Sequence, residues 1–186
     1  LLQAVWPDVA VRLDGLHATW RLTTTTTSAK HPWHGPFCSM LADAIYTYDQ
    51  AELDRFKAAR RKAGLSQALP RGTKSKHIPR TIVDAHAIAE NIERILGAFA
   101  GRRHAQRGEL LTPATHDAWK NLSGHVRQGC LCDPVGLDMN VFDERDNVAV
   151  GGEVFQTIRT LRGTSALEGF HYPQRTWLGG GRHAPD

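Results

Sequence analysis

Residues 13–17 read Leu13-Asp14-Gly15-Leu16-His17, and what stands on either side of that acid decides the fold. Ahead of it, Val9-Ala10-Val11-Arg12-Leu13 alternates and is β-branched, which predicts a short strand ending at Asp14, with Pro7 suited to its start. An acid at a strand end belongs to an α/β protein; the same acid inside a helix belongs to a helical one. Near the other end, Leu167-Glu168-Gly169-Phe170-His171 repeats the order apolar, acid, glycine, apolar, histidine. Residues three apart share a helix face, so Glu168 and His171 can point together. Asp14 and His17 do the same if the chain turns helical straight after the strand.

Between these two motifs the pattern is mostly helical. Thr23 to Thr27 stop any helix begun at Gly15, and His31-Pro32-Trp33-His34-Gly35-Pro36 extends the turn-rich connection. Phe37, Leu41, Ile45 and Tyr48 fall on one helical face, Leu53 and Phe56 open a second helix, and Gly64 ends it. Residues 65–80 are basic, with Pro70, Gly72 and Pro79, and predict a surface loop. Ile82 to Arg103 is the clearest helix, with the stripe Ile88, Ile92, Ile95, Leu96 and Phe99 and a stop at Gly101. A further helix is predicted from an N-cap at Thr115 to Arg127. Asn147–Val150 and Val154–Leu161 read as strands, Arg162-Gly163-Thr164-Ser165 as a turn, and Ala166 to Trp177 as a last helix.

The chain of 186 residues, 41% apolar and 23% charged, is sized for one domain with a sizeable insertion. No apolar run approaches the ~20 residues of a membrane span. Three cysteines, Cys38, Cys130 and Cys132, make no disulfide framework and point to a reducing compartment. The net charge is +4, but residues 51–80 alone hold nine bases against Glu52 and Asp54. Arg60, Arg61, Lys62, Arg71, Lys74, Lys76 and Arg80 carry most of that excess, and a polyanion is the natural partner. A solvated helix face followed by a basic loop is the plainer explanation.

Carboxylate with imidazole suits divalent metals, and two carboxylates from distant points could hold two ions about 4 Å apart for phosphodiester chemistry. Each acid also has a structural explanation. Ser165-Ala166-Leu167-Glu168 fits a capping box, and Asp14 fits a helix N-cap or turn.

The stretch Arg162-Gly163-Thr164-Ser165, then Glu168-Gly169-Phe170-His171 and Trp177, resembles a segment of transposon-derived proteins common in animal genomes. Similar blocks precede it in order. They are Leu13, Asp14, His17, Trp20 and Arg21; Ser28, His31 and Pro32; Phe37, Leu41, Ala44, Ile45 and Tyr48; and His125, Val126, Arg127, Gly129, Cys130, Leu131, Asp133 and Pro134. The resemblance implies an α/β, mostly helical chain: an incomplete RNase-H-like core of the DDE transposase class with a large all-helical insertion. On that mapping residues 1–22 and 145–178 are parts of the core, 23–144 the insertion and 179–186 a disordered tail.

Asp14 becomes the second acid of the triad and Glu168 the third, both catalytic and both ligands of Mg²⁺ or Mn²⁺, with His17 and His171 supporting them. DNA becomes the partner, the nucleus the compartment, and metal-dependent cleavage and strand transfer the ancestral chemistry. The first acid of such a triad precedes the second on an earlier strand, and residues 1–9 offer only Asp8. A chain opening on Leu1 and closing on Gly179-Gly180-Gly181 and a polar tail reads as a fragment, and without the first acid it is expected to be inactive.

Two other readings compete. One is a non-catalytic nucleic-acid-binding or interaction protein that keeps the fold. The other is a helical metalloenzyme using Asp14/His17 and Glu168/His171 as two carboxylate–histidine pairs. Zinc at His125, Cys130 and Cys132 is not expected: it needs a fourth ligand from His104, His116 or Cys38, Cys-x-Cys is an uncommon zinc pair, and the resemblance carries only the first cysteine.

Overall fold

The structure, a computed structural model, describes residues 12–70 and 72–162. Among the described residues helix dominates, at 46% against 19% strand, and the strands form small antiparallel sheets. In chain order the elements are α1 (Gly15–Thr23), α2 (His34–Ile45), β1 (Tyr46–Tyr48), α3 (Gln50–Lys62), α4 (Thr73–His77), β2 (Arg80–Ile82) and α5 (Ala85–Phe99). Then come β3 (Arg103–His104), β4 (Gly108–Glu109), α6 (Pro113–Arg127), β5 (Asn140–Val150) and β6 (Glu153–Thr160). Among the described residues the sheets are three two-stranded ribbons, β1–β2, β3–β4 and β5–β6. No helix there is long and apolar enough to cross a membrane.

Helix starts follow from side-chain caps. Asp14, Asp49 and Asp84 each accept from a backbone N–H of the first turn of α1, α3 and α5, satisfying a donor that has no partner within the helix. At α6 the cap is Thr112, not Thr115. The two threonines make a reciprocal capping box, and Pro113 takes the first helical position, where its missing N–H costs nothing.

Tyr48 leaves the helical face expected for it. The helix stops at Ile45, and Tyr46 pairs with Ile82 and Tyr48 with Arg80 across β1–β2. That pairing also takes Ile82 out of the following helix, which starts at Ala85 behind the Asp84 cap. The basic loop likewise contains α4, and β5 begins at Asn140, ahead of the strand expected from Asn147. In each case long-range pairing or packing overrides a weak local signal.

Two cores result. The larger joins α1, α2, α5 and α6 through Leu22, Phe37, Leu41, Ile92, Phe99 and Leu122 with their neighbours. The rings of Phe37 and Phe99 meet edge to face at 5.3 Å. The smaller joins α3 and the segment after α4 to the β5–β6 ribbon through Leu53, Phe56, Ala59, Ile78 and Phe155. Phe56 packs edge to face on Phe155 at 4.6 Å and stacks on His77, whose Nδ1 donates to the Gln156 carbonyl at 3.2 Å.

The ribbon turns at Gly151-Gly152, both with positive φ. A Cβ on Gly151 would strike the Ala59 carbonyl of α3, so only glycine lets the turn lie against that helix. Residues 1–11, 71 and 163–186 lie outside the described residues. The strand expected over 9–13, the last helix, Arg71, the turn Gly163-Thr164-Ser165, Glu168 and His171 fall wholly or partly among them.

Candidate nucleic-acid interface and acidic cleft

The basic stretch divides once its side chains are followed. Leu53, Phe56 and Ala59 turn inward on α3, which leaves the other faces of the helix to its charges. Arg55 is bound by Glu52 and by Glu153 of the ribbon, and its guanidinium lies 4.2 Å from the centre of the Phe155 ring. Arg60 donates to the Ser66 carbonyl at 2.8 Å and holds the loop that follows α3. Lys74 sits over Tyr48 at 4.0 Å and Arg80 over Tyr46 at 4.4 Å. These cations serve the fold. Arg61, Lys62 and Lys76 are exposed, and their side chains make no hydrogen bond or ion pair among the described residues. Arg61 and Lys62 end α3, where the helix dipole favours positive charge, so they stand there at little cost.

The second feature is a cleft of about 240 Å³ lined by Arg12, Asp14, Cys132, Asp133, Met139 and Arg162, among others. Three distant stretches build it. In the first, Asp14 Oδ1 accepts the Leu16 N–H at 2.7 Å, and Oδ2 faces His17 Nδ1 at 3.2 Å. Asp14 therefore caps α1, and the carboxylate–histidine pair exists at the helix start. Gly15 is fixed by contact: a Cβ there would collide with the Tyr46 hydroxyl.

The second stretch is the end of α6. Gly129, with φ of 75°, lets the Cys130 N–H reach back to the His125 carbonyl at 3.0 Å. Val126 and Leu131 drop into the larger core, and the Cys130 carbonyl accepts the Leu13 N–H at 2.7 Å. That bond ties the two stretches together.

The third stretch is the end of β6. Arg162, its side chain only 5% exposed, grips Asp133 with two parallel bonds, Nε to Oδ1 at 2.6 Å and a terminal nitrogen to Oδ2 at 2.8 Å. It also donates to Asn140 Oδ1 at 3.3 Å, the oxygen that accepts the Arg80 N–H. Burial pushes the Tyr46 phenol up from its ordinary pKa, while the charges of Arg80, Asp14, Arg162 and Asp133 act on it in opposing directions. Burial also pushes up the Cys132 thiol, which favours the protonated form over a nucleophilic thiolate.

Asp14 and His17 thus come together, and Asp14 shares its cleft with Asp133 and Arg162. Glu168 and His171, expected to complete the site, are outside the described residues. Among the described residues no three histidine, cysteine or acidic side chains group closely enough to hold a metal. The Asp133–Arg162 pair was not singled out by sequence. Both residues sit in motif blocks, but nothing local says that residues 29 apart in the chain will meet.

Of the tryptophans, Trp119 is in the core, whereas Trp20 is 60% and Trp33 38% exposed. Compared with known protein families, with curated proteins and with solved structures, the chain matches none.

Proposed function

We propose that this chain is a nucleic-acid-binding derivative of a DDE-type transposase, gripping the phosphate backbone through α3 and α4. The observation that carries the binding is the set Arg61, Lys62 and Lys76, three exposed cations whose side chains make no ion pair among the described residues. Phosphate contacts of this kind release counterions, so they bind without regard to sequence and weaken steeply with salt.

The transposase side of the reading is supported by the cleft. Leu13–Gly15, Leu131–Pro134 and Leu161-Arg162 are far apart in sequence yet line one surface. Asp14 and Glu168 would be the ligands of Mg²⁺ or Mn²⁺ in an RNase-H-like core. When bound, such ions supply an activated water and stabilise the leaving oxygen of a phosphodiester. Asp14 meanwhile caps α1 and is fixed in direction by Leu16 N–H and His17.

A second reading, the helical metalloenzyme, is favoured by one observation, the Asp14–His17 pair on the first turn of a helix. A labelled DNA duplex titrated with the protein at low salt tests the first reading. Binding in the micromolar range is expected, falling steeply with salt. Arg61→Gln/Lys62→Gln/Lys76→Gln should weaken it and flatten the salt dependence by about one unit per lysine or arginine removed. Failure of the wild-type chain to bind would refute it. Saturable Mn²⁺ binding lost in both Asp14→Asn and His17→Gln, with no DNA binding, would favour the second reading. No nicking of plasmid DNA in Mg²⁺ is expected from this chain.

A further inference from the structure

The β5–β6 ribbon carries cations that the basic stretch does not include. Asp143 stands opposite Thr157 in the register, and both are buried on the face that also turns Phe155 onto α3. The Asp143 side chain is only 8% exposed, and two arginines hold it. Arg145 Nε lies 3.1 Å from Oδ1 and an Arg159 terminal nitrogen 2.8 Å from Oδ2, while the arginines themselves are 81% and 62% exposed.

One guanidinium is enough to neutralise one carboxylate. Two exceed it, although the Asp146 charge also acts on Arg145, and most of their N–H donors are not used by Asp143, which holds both from behind. Pre-oriented guanidinia of this kind suit the oxygens of a phosphate, because little side-chain freedom remains to be lost on binding. The same ribbon meets the other exposed cations. Lys62 Nζ lies beside Gly152 at the turn, and Lys76 sits on α4, which is bonded to β6 through His77. Arg159 is seven residues from Gly152, about 23 Å along the strand. One phosphate ion cannot span that distance; an extended polyanion can.

We propose that Arg145 and Arg159, braced by Asp143, are a second phosphate contact for a nucleic-acid backbone running along the ribbon from Lys62. This rests on the nucleic-acid reading above and assigns that partner a path across a second element.

The test is fluorescence anisotropy of a labelled DNA duplex against salt, for four proteins. They are the wild-type chain, Arg145→Gln/Arg159→Gln, the same double with Asp143→Asn, and Arg61→Gln/Lys62→Gln/Lys76→Gln. The triple with Asp143→Asn leaves no buried carboxylate unpaired, so it separates a lost contact from a damaged ribbon. Weaker binding in both ribbon variants, with a salt slope lower by about two, is the expected result. Wild-type binding in both, while the α3–α4 variant is weakened, would overturn the ribbon contact and leave the nucleic-acid reading standing. Weakening in the double but not in the triple would also overturn it, tracing the loss to the unpaired Asp143. No binding by the wild-type chain would remove both. Saturable binding of inorganic phosphate at constant ionic strength, equal in strength to the duplex, would overturn the extended path.

Discussion

The larger core buries eighteen hydrophobic residues from α1, α2, α5, α6 and their connections, while the smaller core under the β5–β6 ribbon buries five. The difference in how they are held is as large as the difference in size. Four helices interdigitate aliphatic and aromatic side chains, and their ion pairs, such as Arg127 with Glu93, lie at the surface. The ribbon instead is fastened by polar ties: Arg55 to Glu153, His77 to Gln156 and Arg162 to Asp133. A two-stranded ribbon has too little apolar surface to stand alone, so directional bonds locate it. Arg61, Lys62, Lys76, Arg145 and Arg159 lie on this smaller unit, where neighbouring side chains are already arranged by electrostatics.

If the larger core carries the stability, Phe37→Ala should cost about 4 kcal/mol and unfold both units together in a urea titration. Loss of structure in the ribbon alone would reverse the assignment. Arg162→Ala should come next, at roughly 3 kcal/mol, because it leaves Asp133 without its guanidinium in a largely enclosed place. Restoring the pair in reverse, Asp133→Arg/Arg162→Asp, should recover part of that loss if the tie is electrostatic.

Gly151→Ala is expected to cost about 2 kcal/mol by forcing a side chain into positive φ and against Ala59. Amide exchange should then rise in β5 and β6 while α5 and α6 stay protected. The smallest effect is that of acid. Arg145, hydrogen-bonded to Asp143, holds its carboxyl below the usual carboxylate range. The stabilisation is therefore complete above the unfolded value of about 3.9 and is lost as pH falls toward the lower folded value. Exchange in the ribbon should increase over that window before the helices respond.

The helices of the larger core were legible because their periodicity is strong: Ile88, Ile92, Ile95, Leu96 and Phe99 all turn out buried. Gly64 and Gly101 mark helix ends as their composition suggests, each with positive φ. What could not be read was contact across the chain. Tyr46–Tyr48 looks helical until β2 is there to pair with it, and the cap is Thr112, just ahead of Pro113, with Thr115 as its partner in the capping box. The site divides the same way. Asp14 could be named as a metal ligand or an N-cap, and it does cap a helix. The basic run could be named, but not which of its members are consumed by Tyr48, Tyr46, Glu52 and the loop carbonyls. Asp143, Arg145 and Arg159 gave no signal, since an acid between bases on two strands becomes a cluster only in register.

The most direct measurement is a map of amide chemical-shift changes on adding a short DNA duplex at low salt. Changes are expected in α3, α4 and the β5–β6 ribbon, around Arg61, Lys62, Lys76, Arg145 and Arg159. Changes confined to α1, α2, α5 and α6, or none at saturating duplex, would contradict the proposed interface.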